Sequence, residues 1–271
     1  MTAPLLAVQD LVVQYGSLRA VDGVSFTLER GRTLAVVGES GCGKSTIAAA
    51  IVRLIRPTSG RVVLDGQDIS ALPEKHLRPL RHKVQMVFQD PYGSLDPHQT
   101  ALRIVAEPLR LRGRDRAACL REAAVLLDRV GLPAGTHDRR PAEFSGGQRQ
   151  RIGIARALAS EPELLVCDEA TSALDVSVQA QVLRLLREIQ RDTGVAYLFI
   201  SHNLGVVKEI SDDVVVLRAG RVVESGVTER VLAAPAEPYT LALRRAALDP
   251  QVMTGRKPRA LVAAAMEGRQ A

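Results

Sequence analysis

One short run constrains this chain more than any other feature: Gly38-Glu39-Ser40-Gly41-Cys42-Gly43-Lys44-Ser45-Thr46. It fits the pattern G-x-x-x-x-G-K-[ST]. It stands between an apolar run at 33–37, which reads as a buried strand, and a helical stretch from 44 to about 54. Glycines let a backbone wrap closely enough for its N–H groups to cradle phosphates, and the helix behind adds a favourable dipole for the anion. In that arrangement the Lys44 ammonium reaches toward β- and γ-phosphates, and the Ser45 hydroxyl is placed to ligate Mg²⁺.

The rest of the chain alternates strand and helix patterns around this unit. Residues 5–15 read as a strand, and a second at 24–29 follows a turn expected at Asp22-Gly23. A hairpin at 61–69 is expected around Asp65-Gly66, and 84–88 reads as another buried strand. From 91 to about 160 Arg, Ala and Leu dominate, with helical spacing at 103–111 and 116–130, which reads as a helical insertion. Strands return at 163–167 and 196–200 around a helix at 178–191, and a last hairpin spans 213–224 around Ala219-Gly220. Such alternation implies a mostly parallel sheet with helices on both faces. The main domain is expected over 1–235. An extension follows at 236–271, and the tail from Thr228 onward is expected to be partly helical and peripheral.

Composition sets the outer limits. Hydrophobic residues make up 46% and charged residues 24%, ordinary for a globular chain, while aromatics are only 3%, so Leu, Val, Ile and Ala must build the core. No apolar run approaches the ~18 residues of a membrane span, and no signal peptide is visible, so a cytoplasmic location is expected. Cys42, Cys119 and Cys167 lack metal-ligand spacing and read as small buried fillers. The net charge of +6 is concentrated: residues 101–160 hold 12 Lys+Arg against 6 Asp+Glu, and the remainder balances. That excess is either a solvated helical surface or a patch for an anionic partner. Without interleaved aromatics it gives no case for nucleic acid.

Two further segments carry chemistry. Leu164-Leu165-Val166-Cys167-Asp168-Glu169 is an apolar strand ending in two carboxylates. Alone, such a pair is as readily a strand cap as a catalytic pair. Beside 38–46, Asp168 gains a role in orienting a Mg²⁺ shell and Glu169 one in polarising an attacking water. Phe144-Ser145-Gly146-Gly147-Gln148-Arg149 places a good N-cap and two glycines at a helix start. The same residues form a second anion cradle, one without a lysine. Two cradles on one chain make sense if the second grips a nucleotide held by another subunit.

With these residues in view, the chain resembles the ATP-binding cassette (ABC) transporter family over about residues 5–235. The family's phosphate loop matches 38–46, its signature 145–148, its metal-and-base segment 164–169, and its D-loop Ser172-Ala173-Leu174-Asp175. Gln89 is similar to the glutamine that touches Mg²⁺ or water, His202 to the switch histidine at the γ-phosphate, and Tyr15 to the aromatic that stacks on adenine. Phe144 stands where the family commonly has leucine. The stretch Phe88-Gln89-Asp90-Pro91-Tyr92-Gly93-Ser94-Leu95-Asp96-Pro97, with Pro238-Tyr239-Thr240, resembles the ATPase subunits of the peptide and nickel importer branch. Glu237 replaces the histidine usual before that proline. No cysteine follows Cys167, so the iron–sulfur cluster of some relatives is not expected.

The resemblance implies a P-loop NTPase (RecA-like) α/β core with an antiparallel β subdomain and a helical insertion. It implies ATP and Mg²⁺ as ligands, with Lys44, Glu169 and His202 catalytic, and Ser45, Gln89 and Asp168 at the metal. It further implies a second ATPase subunit, a distinct one favoured, two membrane permeases and an extracytoplasmic binding protein, with this chain peripheral on the cytoplasmic face. Peptide, nickel or another solute remains open as cargo. A soluble relative acting on ribosomes or DNA, or a small-molecule kinase, fits less well: one loop and one signature are present, and a kinase needs no signature.

Overall fold

The computed structural model describes residues 3–90 and 92–248. Position 91, the first of the expected insertion, and 249–271, most of the expected extension, lie outside the described residues. In chain order the elements begin with β1 (Leu6–Tyr15), β2 (Leu18–Leu28), β3 (Thr33–Val37), α1 (Lys44–Ile51), β4 (Ser59–Leu64) and β5 (Gln67–Asp68). There follow α2 (Glu74–Leu77), β6 (Val84–Val87), α3 (Ala101–Leu111), α4 (Arg116–Arg129), α5 (Gly146–Leu158), β7 (Leu164–Asp168) and α6 (Val176–Thr193). The chain continues through β8 (Ala196–Ile200), α7 (Leu204–Ile210), β9 (Asp213–Arg218), β10 (Arg221–Val227), α8 (Thr228–Ala233) and α9 (Pro238–Leu248). Two compact units emerge: one joins the N-terminal residues through Leu72 to the chain from Leu198 onward, and the other is Pro73–Tyr197.

In the first unit β2, β1, β4 and β5 form an antiparallel sheet in that order. The turn expected at Asp22-Gly23 is absent. Strand β2 starts at Leu18 and runs through both residues, and the register shifts where Leu11 faces Val24 and Val12 faces Asp22. Gly23, at φ 72°, is the extra residue of a bulge. A bulge and a tight turn both need a residue that tolerates positive φ, so the same dipeptide serves either. The Asp65-Gly66 hairpin forms as expected. Strand β3 is buried at all five positions, reads as Val, Leu and Ala after Thr33, and pairs in parallel with β9 from Leu34–Asp213 to Val37–Val216. Strand β10 returns antiparallel to β9 around Ala219-Gly220.

The tail departs from its peripheral expectation. Val231 and Leu232 of α8, and Tyr239 and Ala242 of α9, join a buried cluster with Ala35, Val37, Leu204, Val207, Val214 and Val216. The apolar positions of two short helices are too few to announce a core contact in sequence. Their burial comes from the sheet face they cover.

In the second unit β6 and β7 pair in parallel, Val84 against Leu164 through Val87 against Cys167. Helix α3 packs on α4 and α5. Helix α6 is amphipathic, burying Val182, Leu183, Leu185, Leu186 and Ile189. It starts at the Asp175 cap and stops at Gly194, whose φ of 70° ends the helical run. Cys42, Cys119 and Cys167 are all free and buried, as expected of fillers.

Candidate functional site

The loop at 38–46 leaves β3 and enters α1 through Gly43, which takes a left-handed conformation at φ 106°. A Cβ there would run into the Ala20 carbonyl of β2, and one at Gly38 would run into the Leu217 carbonyl of β9 and the Cys42 sulfur. Side chains are therefore shut out where the backbone must turn tightest, which leaves a cradle lined by peptide groups. The tip of the β9–β10 hairpin braces it: Gly220 N–H donates to the Cys42 carbonyl at 3.0 Å, and the Gly220 carbonyl accepts from Asp22 N–H at 2.8 Å. Asp22 also accepts from Arg221 Nε and Nη2 at 2.8 and 2.6 Å, and that guanidinium holds its carboxyl below the usual carboxylate range.

Lys44 is 4% exposed, so its charge must be met locally. Its Nζ donates to the carbonyls of Gly38 and Glu39, both at 2.9 Å. Ser45 is exposed at the start of α1, and Ser40 and Gly41 are exposed on the loop, while Glu39 and Thr46 are half-buried. Cys42 is buried beside Lys44, and burial raises its thiol. Tyr15, at the end of β1, is 51% exposed, a ring open for stacking. His202 follows β8 and is exposed. Its neighbour Ser201 donates its N–H to the Val36 carbonyl of β3, and Asn203 caps α7 by accepting from Gly205 and Val206.

In the second unit β7 ends at Asp168, which is buried, and Glu169 turns out of the strand with a φ of 46°. A left-handed glutamate is uncommon, and the Ser172 N–H and hydroxyl, each 3.0 Å from the Glu169 carbonyl, hold that turn. Gln89 Nε2 donates to Glu169 Oε2 at 3.1 Å, so the structure brings these two predicted residues together. Burial pushes the Cys167 thiol, just before the pair, up to about 12.

Ser145 caps α5: its hydroxyl accepts from Gln148 N–H at 3.3 Å, while Gln148 Oε1 accepts from Ser145 N–H at 2.9 Å. A Cβ on Gly147 would strike Val178 of α6, whereas one on Gly146 would meet nothing within 4 Å. Gly147 is thus required by internal packing, and Gly146 leaves the helix start open on its outer side. Asp175 caps α6, accepting from Val178 N–H at 3.0 Å and the Ser177 hydroxyl at 2.7 Å, and these bonds lower its carboxyl. Two arginines of α5 hold the segment after Gln89. The Arg149 guanidinium lies 3.5 Å from the Tyr92 ring centroid, and Arg156 donates to the Ser94 carbonyl.

The family model described as ABC transporter matches residues 21–172, more than half of the chain. The chain belongs to the ABC transporter family. Its cassette is an ATPase of an α/β P-loop type and binds ATP. A probable peptide ABC transporter ATP-binding protein of Sinorhizobium fredii is 53% identical over 237 residues, 86% of this chain and 66% of that protein. A putative peptide import ATP-binding protein of Brucella ovis is 46% identical, covering 94% of this chain and 82% of its own. The oligopeptide transport ATP-binding protein AppF of Bacillus subtilis is 51% identical over 84% of this chain and 70% of its own.

Solved structures agree on the fold. The ATP-binding cassette MJ0796, in a dimeric post-hydrolysis state bound to ADP and Pi, superposes with a TM-score of 0.75 at 27% identity, covering 82% of this chain and 98% of that one. The cbiO1 cassette from Clostridium perfringens, part of an ABC transporter complex, superposes with a TM-score of 0.79 at 26% identity, covering 93% and 98%. Among the described residues of this ABC ATPase, no helix is long and apolar enough to cross a membrane.

Sequence reasoning passed over the contact between the loop and the tail: Tyr239 of α9 accepts a hydrogen bond from Glu39 N–H at 3.2 Å. The motif Pro238-Tyr239-Thr240 was the one signal available. It also passed over Asp22, whose value lies in the bracing of the hairpin.

Proposed function

We propose that this ABC ATPase energises uptake of peptides, binding ATP with Mg²⁺ on the cytoplasmic face of a membrane beside two permease subunits and a second, related ATPase. An extracytoplasmic binding protein would deliver the cargo. The observation that carries this reading is the presence of two anion cradles of unlike build. One is braced by neighbouring elements and contains the buried Lys44; the other, at the exposed start of α5, has no lysine. The names of the relatives from Sinorhizobium, Brucella and Bacillus support peptides as cargo. The domain bounds we assign are 1–235 for the cassette, with a helical insertion at about 91–160, and an extension at 236–271.

In the mechanism, Tyr15 stacks on the adenine, residues 38–46 wrap the phosphates, and Lys44 turns from its loop carbonyls to the β- and γ-oxygens. Ser45, Asp168 and the carbonyl oxygen of Gln89 offer hard oxygen donors, which suit Mg²⁺. When bound, the ion neutralises charge developing on the phosphates. Glu169 accepts a hydrogen bond from the attacking water and takes its proton as the new P–O bond forms. The bond from the γ-phosphorus to the β–γ bridging oxygen breaks, giving ADP and phosphate. Gln89 orients Glu169 through the bond already present, and His202 contacts the γ-phosphate. Residues 145–148 and Asp175 face the nucleotide of the neighbouring ATPase. Binding draws the two subunits together, and hydrolysis removes the bridge. The segment after Gln89, tied to α5 through Arg149 and Arg156, passes that closure to a permease.

Replacing Glu169 with Gln tests the base assignment in the assembled transporter. Phosphate release should fall about 10²-fold or more, while ATP still binds. Ordinary turnover by Glu169→Gln would remove Glu169 from its role.

A further inference from the structure

The loop's first peptide is held from both sides, and one of the two holds comes from far along the chain. Glu39 N–H donates to the Tyr239 hydroxyl at 3.2 Å, across 200 positions of sequence. The carbonyl of the same peptide unit, that of Gly38, accepts from Lys44 Nζ at 2.9 Å. Tyr239 is a fixed post rather than a mobile side chain. It is 3% exposed, sits in the cluster that includes Val37 of β3 and Val216 of β9, and has the Arg218 guanidinium 5.1 Å from its ring centroid. Burial pushes its phenol up to about 12, so the oxygen stays protonated and neutral at any pH at which the cassette works.

We propose that Tyr239 is a positioning residue for ATP binding, with α9 acting as a strap that fixes the Gly38–Glu39 peptide and through it the start of the phosphate loop. When Lys44 turns to a triphosphate, the Gly38 carbonyl loses its ammonium donor, and the bond from Glu39 N–H to Tyr239 is what keeps that peptide from reorienting. A glycine-rich loop has much conformational freedom to lose, so a hold that survives the lysine's departure lowers the ordering cost of binding. The segment containing Pro238-Tyr239-Thr240 thereby belongs to the nucleotide site although it lies beyond every motif that touches the nucleotide. This rests on the reading that 38–46 holds the triphosphate.

The test is Tyr239→Phe in the full chain, which keeps the ring and its packing and removes only the acceptor oxygen. ATP binding by calorimetric titration should weaken about threefold to tenfold, the size of one hydrogen bond's net contribution. Amide exchange at Glu39 should quicken, with the melting temperature held within about 3 °C. In the assembled transporter the KM for ATP should rise by a similar factor and kcat stay within about twofold, a split that simple loss of folded protein would not give. An ATP affinity unchanged in Tyr239→Phe overturns the proposal. Lys44→Ala, titrated in parallel, separates the two readings: if it also binds ATP normally, the phosphate-loop assignment itself fails, whereas weak binding there with normal binding in Tyr239→Phe sinks only the strap.

Discussion

The two cradles of this ABC ATPase are built on opposite principles. The loop at 38–46 is held by its surroundings: Ala20 and Leu217 crowd two of its glycines, Gly220 bonds Cys42, and Tyr239 bonds Glu39. Lys44 is buried within it. The start of α5 is held mainly by itself, through the reciprocal Ser145–Gln148 box, and both of those side chains are exposed. A cradle braced by several neighbouring elements is preorganised for a ligand of its own. One that satisfies its own caps and faces outward is ready to be laid onto something already bound elsewhere. The contrast supports a nucleotide gripped by one subunit and covered by another.

Changes at the α5 start should separate packing from binding. Gly147→Ala puts a methyl into Val178 and should lower the melting temperature by several degrees, since overpacking typically costs about 1–3 kcal/mol. The pair Gly147→Ala with Val178→Ala should recover most of that loss. Gly146→Ala, where a Cβ meets nothing, should melt like the parent; a large loss there would mean the outer side is not open.

A smaller effect should appear at the brace of the other cradle. The Asp22 carboxyl is held low by Arg221, so its contribution is fully present above the ordinary carboxylate range and fades as pH falls through its lowered value. Asp22→Asn should therefore melt slightly lower than the parent near pH 7, and the gap should close below about pH 4. A gap that stays constant with pH would mean the ion pair does not brace the hairpin.

How much of this was legible in the sequence follows from the range of each interaction. The phosphate loop, the acidic strand end at Asp168-Glu169 and the Ser145 cap are local: the chemistry and the residues that shape it lie within a few positions of one another. The mainly parallel core and the Asp65-Gly66 and Ala219-Gly220 hairpins follow from the same short-range rules. The bond from Gln89 to Glu169 spans 80 positions and could be expected only through family resemblance. The one from Glu39 to Tyr239 spans 200 and left only a motif of unassigned purpose. Asp22-Gly23 misled because positive φ is demanded by bulge and turn alike. In each case the hidden information was tertiary, carried by where a strand or helix comes to rest.

Ser145→Arg measures the sharing of nucleotide most directly. It places a long cation in the outward cradle and leaves residues 38–46 untouched. ATP affinity of the single chain should stay within about twofold of the parent, while ATP-driven association of ATPase subunits, read by sedimentation in a Glu169→Gln background, should fall by about tenfold or more. If instead Ser145→Arg weakens ATP binding by the lone chain as severely as Lys44→Ala does, both cradles serve one nucleotide within one subunit. A nucleotide shared between subunits would then be contradicted.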